Sequence, residues 1–264
     1  MRIHIAHRTV YRYDPPAAGA IQLLRLTPRN YEGQYVVNWA ITVAPEARLA
    51  AHEDAFGNIT HVFSAGGPLA ELRIEVDGQV ETQNTNGIVR GTVERFPPRL
   101  FLRDTSLTQA NAAIRDFAQK ARAASGGETL AELHTLLKRL HERSVHTISS
   151  ADAAEGFAGY RRAPVDWTHI FIGAAHSLDI PARFVAGYFR GVEDGAEQQI
   201  GHAWAEAFVP GLGWVGFDPT HGNCPTDAHV RVAIGLDSLG AVPLRGTRYG
   251  VGPEIQEIAI KVGQ

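Results

Sequence analysis

Residues 156–190 read GFAGYRRAPVDWTHIFIGAAHSLDIPARFVAGYFR, and residues 202–220 read HAWAEAFVPGLGWVGFDPT. The first stretch predicts a helix from about Pro164 to Leu178. Proline suits a first helical turn, where its missing N–H would be unpaired anyway, and Ile180-Pro181 stops the helix. Three strands should follow: ARFVAGYF at 182–189, HAWAEAFVP at 202–210 and GWVGFDPT at 213–220. Along the second, His202, Trp204, Glu206 and Phe208 share one face, and Ala203, Ala205, Ala207 and Val209 share the other. The small face suits tight packing on the helix. The larger, partly polar face belongs on the opposite side or at a cleft rim.

These two stretches resemble the catalytic core of the bacterial transglutaminase-like family, papain-like thiol enzymes and their relatives. That family opens the first block with a pattern close to G-V-C-Q-D-F-A-H. Asp166 and His169 match its D and H, so the cysteine position falls on Pro164, which offers neither a nucleophile nor a titratable proton. The rest of the resemblance is carried by Ile180–Tyr188, where Asp179 replaces the usual preceding Gly, by His202-Ala203-Trp204, and by Asp218-Pro219-Thr220. It implies a thiol at a helix N-terminus, where the dipole and an imidazolium favour thiolate. It also implies a histidine base on one strand and a carboxylate on the next that orients it. A lone strand histidine is usually a satisfied core residue; with Asp218 and the family framework beside it, His202 is read as half of a hydrogen-bonded dyad.

The remaining candidates surround that pair. Asp166 lies in the first helical turn, where a carboxylate favours the dipole. His169 sits one turn later, and Trp204 shares the His202 face. Arg161 and Arg162 precede the helix where the family has small residues, and two long cations there could fill the vacated cleft, bind a carboxylate or stand as an ordinary solvated pair. Cys224 lies six residues past Asp218 in a Gly/Pro-bounded loop and reads as an ordinary loop thiol.

Upstream, residues 1–82 read as a β module. IHIAHRTVYRY, YVVNWAITVAP, NITHVFSA and LRIEVDGQVET alternate apolar and polar residues, with turn chemistry at Asp14-Pro15-Pro16, Gly57-Asn58 and Asp77-Gly78. Tyr11-Arg12-Tyr13, Leu24–Arg29 and Asp54–Asn58 resemble the same family's N-terminal module, expected to be a small β-sandwich packed on the core. Residues 83–105 form a Pro-containing linker. Two amphipathic helices then carry Ile114, Phe117 and Ala121, and Leu130, Leu133, Leu137 and Leu140, on their apolar faces. The second region, 106–264, is therefore a transglutaminase-like core with a C-terminal tail, and the fold class is α+β.

Composition bounds the function. With 44% apolar and 20% charged residues and a net charge of -3, the 264-residue chain is ordinary globular protein with no basic footprint for nucleic acid. No 18-residue apolar run and no apolar leader segment occur, so neither a membrane partner nor export is expected. One cysteine excludes an internal disulfide and fits a reducing cytoplasm. Twelve histidines are scattered, with no HExxH and no zinc-spaced Cys/His cluster, so no metal ligand and no cofactor are expected. The expected function is a transglutaminase-like pseudoenzyme that binds or scaffolds peptide or protein partners, possibly beside an active homologue. The alternative is a hydrolase or acyl transferase of peptide amides using a displaced nucleophile or none.

Overall fold

A computed structural model describes residues 1–149, 164–193, 196–197 and 201–263 of the chain. Thirteen strands and four helices occur among them: β1 (Arg2–Thr27), β2 (Gln34–Ala44), β3 (Ala50–Glu53), β4 (Ile59–Thr82), β5 (Ile88–Val89), α1 (Ala112–Ser125), α2 (Thr129–Ser149), α3 (Pro164–His176), β6 (Ala182–Phe189), β7 (Val192–Glu193), β8 (Ala196–Glu197), β9 (His202–Val209), β10 (Gly213–Phe217), β11 (His229–Gly235), α4 (Ser238–Ala241), β12 (Leu244–Tyr249) and β13 (Glu254–Gly263).

The N-terminal module is one six-stranded antiparallel sheet built on the long β1–β4 pair. Two turn signals of the sequence fall inside these strands. Asp14-Pro15-Pro16 lies where the β1–β4 register breaks between Arg12 and Ala17, so prolines that cannot donate to a ladder sit exposed at the irregularity. Gly78 is mid-strand for another reason: a Cβ there would come within 2.3 Å of the Trp39 ring, so the residue makes room for an aromatic side chain. Tyr11 and Ile74 from one half of the pair share a core with Leu24 and Phe63 from the other, so a single sheet encloses the module's apolar interior. The C-terminal tail, which the sequence reading groups with the second region, joins this module instead. β12 pairs with Gly19–Leu24 and β13 with His4–Tyr13, both antiparallel to β1.

The second region is a five-stranded antiparallel sheet in the order β11-β6-β9-β10-β5. Its helices form as the periodicity requires. Asn111 caps α1 by accepting the Ile114 N–H at 2.9 Å, and Leu133, Leu136, Leu137 and Leu140 of α2 face inward. α3 begins at Pro164 and ends at His176, two residues short of the expected end and within the usual uncertainty of helix boundaries. It packs chiefly on β9. Phe171 of α3 stacks on Phe217 at 5.3 Å, and Ala203, Ala205 and Ala207 of β9 present the small face that admits the helix. The other face of the sheet holds Trp204, Trp214, Val185 and Ile234 around Phe101, which the stretch 83–105 contributes. That stretch is thus part of the packing, not merely a linker.

Two amides join the regions. β11 is an edge strand, and edges leave backbone groups unpaired. The Gln34 side chain donates to Arg231 O at 2.9 Å and accepts from Arg231 N at 2.8 Å. Asn58 does the same for Ile234, with both distances 2.8 Å. Buried Tyr188 adds a third tie through a 2.9 Å hydrogen bond to His7.

Gly187 of β6 pairs with His202 of β9, and a Cβ at Gly187 would come within 2.1 Å of Val230 O and 2.7 Å of the Trp204 ring. Neither neighbour is a flexible chain end. Gly187→Ala should therefore force β6 and β11 apart and destabilise the chain by about 1–3 kcal/mol, the usual cost of overpacking. The urea midpoint measures this; an unchanged midpoint would show that the strands separate freely here.

Candidate active site and its histidine cluster

Three histidines from three places in the sequence converge on one carboxylate. His202 opens β9, Asp218 follows β10, His221 stands in the next turn, and His229 opens β11. Asp218 is fully buried. Its Oδ2 lies 2.6 Å from His202 Nε2, 2.7 Å from His221 Nδ1 and 3.1 Å from His229 Nε2. Its Oδ1 accepts the backbone N–H groups of Thr220 at 3.0 Å and His221 at 3.3 Å. The turn is itself anchored: Asp218 N donates to Asn223 O at 2.8 Å, and His141 of α2 bonds Thr220 O at 3.0 Å. Phe189 covers the cluster, with its ring 4.1 Å from that of His221 and 4.6 Å from that of His229.

Electrostatics follow from the donors. Burial alone would raise the Asp218 pKa, but hydrogen bonds from His202, His221 and His229 hold it well below the usual carboxylate range. Asp218 is therefore ionised throughout the physiological range. Burial lowers the His229 pKa against the pull of Asp218. Its tautomer is fixed by a second contact: Thr226 N–H donates to His229 Nδ1 at 3.0 Å, so the neutral ring carries its proton on Nε2 and donates it to Asp218. On His202, Nε2 is taken by Asp218, and Nδ1 is buried with no hydrogen-bond partner among the described residues.

His169 and Asp166 of α3 are not members of this cluster. His169 accepts the Ser238 N–H at 3.1 Å and rests on Phe184 at 5.2 Å, which ties α3 to the first residue of α4. Asp166 is exposed in the first turn of α3. Trp204 is 2% exposed and packs in the sheet core, 5.3 Å from the His229 ring, so it supports the cluster and lines no open rim. Arg161 and Arg162 lie outside the described residues. Cys224 is half-buried, and burial pushes its thiol up to about 11, so almost none is thiolate at neutral pH.

Sequence reasoning missed His221 and His229 by reading the histidines as scattered. Of the twelve, these two join His202 on Asp218. The sequence does show His221 three residues after Asp218 and His229 at the opening of an apolar strand just beyond it, but not that both reach one carboxylate.

Comparison with known proteins bears on the two regions of the fold. The model for the bacterial transglutaminase-like N-terminal region matches residues 3–81, and that for the transglutaminase-like superfamily matches residues 116–219. Two regions of the chain thus match transglutaminase-like family models. The uncharacterized protein ML0607 of Mycobacterium leprae (strain TN) is 24% identical over 286 residues, covering 99% of this chain and 98% of that one. The crystal structure of a candidate cysteine protease from Cytophaga hutchinsonii superposes with a TM-score of 0.70 at 15% identity, covering 100% of this chain and 90% of that one. At that identity the likeness speaks for the fold alone. Among the described residues, no helix is long and apolar enough to cross a membrane.

Proposed function

We propose that this transglutaminase-like chain is a pseudoenzyme that binds or scaffolds peptide or protein partners in the cytoplasm. One observation carries the reading. Pro164, which the motif reading aligns with the family's cysteine, opens α3, while His202 and Asp218 are bonded at 2.6 Å. Removing the nucleophile from such a set costs several orders of magnitude in rate. Cys224 is a poor substitute, being half-buried and carrying a thiol pushed up to about 11. The single cysteine suits a reducing compartment.

A second reading rests on Nδ1 of His202, which has no hydrogen-bond partner among the described residues. With Nε2 held by Asp218, that nitrogen is the free lone pair of a general base, and it could activate water on a peptide amide. Water is not held as a side chain is, so much of the proximity contribution, up to about 7–11 kcal/mol, is forfeited. The deciding assay offers blocked and unblocked short peptides to the wild-type chain and to His202→Ala. We expect no amidase, protease or transglutaminase turnover above background from either. Turnover that vanishes in His202→Ala and survives Cys224→Ser would replace the pseudoenzyme with a water-based hydrolase.

A further inference from the structure

We infer that Asp218, His202 and His221 form a binding site for one zinc-class divalent ion, with His229 as the hydrogen-bond donor that orients the carboxylate. Asp218 receives five nitrogens: three imidazole nitrogens on Oδ2 and two backbone N–H groups on Oδ1. A carboxylate offers about four lone-pair sites, two on each oxygen. Oδ1 is filled by the backbone, so Oδ2 has two sites for three rings. As a set of hydrogen bonds, the cluster is over-subscribed.

A cation resolves that excess. His229 is committed as a donor by Thr226 N–H on its Nδ1, and it takes one lone pair of Oδ2. The other lone pair, with His202 Nε2 and His221 Nδ1 turned into acceptors by moving each ring proton to its far nitrogen, gives three ligand atoms facing one point. Two imidazoles and one carboxylate are a recurrent zinc donor set, which leaves a fourth position for water or a partner's group. Tetrahedral zinc at about 2.0–2.2 Å from each ligand needs ligand atoms roughly 3.3 Å apart. The two histidine nitrogens lie 2.6 and 2.7 Å from Oδ2, and all four candidate ligand atoms fall within 4.8 Å of one another. Small rotations of the two rings reach the required spacing.

The support around the ligands is that of a built site. The carboxylate is locked by Thr220 N and His221 N, and Phe189 shields the rings from water. Asp218 and His202 are almost wholly buried, whereas the His221 side chain is 16% exposed and provides the way in. This inference is independent of turnover, since its readout is metal occupancy.

The test titrates the chelator-stripped chain with zinc in competition with a chromophoric chelator, then repeats it with cobalt(II) and records the visible spectrum. We expect one equivalent to bind and cobalt to give the intense absorption of a tetrahedral site. His221→Ala and His202→Ala should each weaken binding by about 100-fold or more, beyond the roughly 10–100-fold typical of losing an outer partner. His52→Ala, on exposed β3, should leave it unchanged. His221 is the most exposed of the cluster, so His221→Ala reads the site even if His202→Ala fails to fold. Absence of stoichiometric binding, or binding that survives His221→Ala in a folded chain, would overturn the site.

Discussion

Pro164→Cys should create a reactive thiolate where the wild-type chain has none. Mass mapping after brief exposure to a thiol electrophile should find label on the new cysteine and little on Cys224. The physical basis is the pair of factors that set thiol reactivity. A thiol at a helix N-terminus beside an imidazole is ionised near pH 7, whereas one pushed up to about 11 is roughly one part in 10⁴ thiolate. Intrinsic nucleophilicity falls as the pKa falls, with a Brønsted slope of about 0.4–0.5, and this returns between two and three decades. The net advantage is on the order of 20-fold at pH 7 and about 200-fold at pH 6, because only the Cys224 thiolate fraction still falls tenfold per pH unit. Labelling should therefore become more selective as the pH is lowered. Adding His202→Ala should remove the advantage by restoring an ordinary thiol. Equal labelling of the two cysteines, or labelling indifferent to His202, would mean that α3 does not present residue 164 to the histidine.

The parts of this architecture visible in the sequence are those whose signal is local. The helix at 164–176 was announced by proline before an apolar run and by Ile180-Pro181 after it. The alternation of alanines with Trp204 and Glu206 along β9 correctly separated the helix-facing side from the other. The hidden parts depend on partners far away in the chain. Gly78 reads as a turn until Trp39, from another strand, is seen lying over it. The tail reads as an appendage of the second region until β13 is found pairing with β1, across more than 240 residues. His221 and His229 gain meaning only because β10, the following turn and β11 fold onto one carboxylate. Period and turn chemistry report which face a residue takes, but not which distant side chain awaits it there.

Replacing Glu206 should be among the most destabilising single changes in the chain, although it touches no candidate ligand. Glu206 is fully buried at the middle of β9. It accepts from Arg183 Nε at 2.7 Å and from Arg231 at 2.6 and 3.1 Å. Arg183 is also fully buried, lies 3.9 Å over the Trp214 ring, and has Glu94 as its other carboxylate, at 2.7 and 3.0 Å. Glu206→Ala would thus strand Arg231 and half-strand Arg183 in the sheet interior. Breaking a buried pair in this way costs about 3–5 kcal/mol, because the uncompensated charge stays behind. For a chain of this size the melting temperature should drop by about 6–20 °C, at roughly 2–4 °C per kcal/mol. Acid should imitate the mutation. Burial would raise the Glu206 pKa, but Arg231 and Arg183 bring it down to about 2, below its ordinary value of 4.5. A folded-state pKa below the unfolded one gives stability that is fully present above about pH 4.5 and lost as the pH falls towards 2. Urea midpoints of the wild type should therefore decline across that window, and those of Glu206→Gln should decline less. A Glu206→Ala chain within about 1 kcal/mol of wild type, below the cost of a single stranded charge, would show that water reaches both arginines and that the network contributes little to the fold.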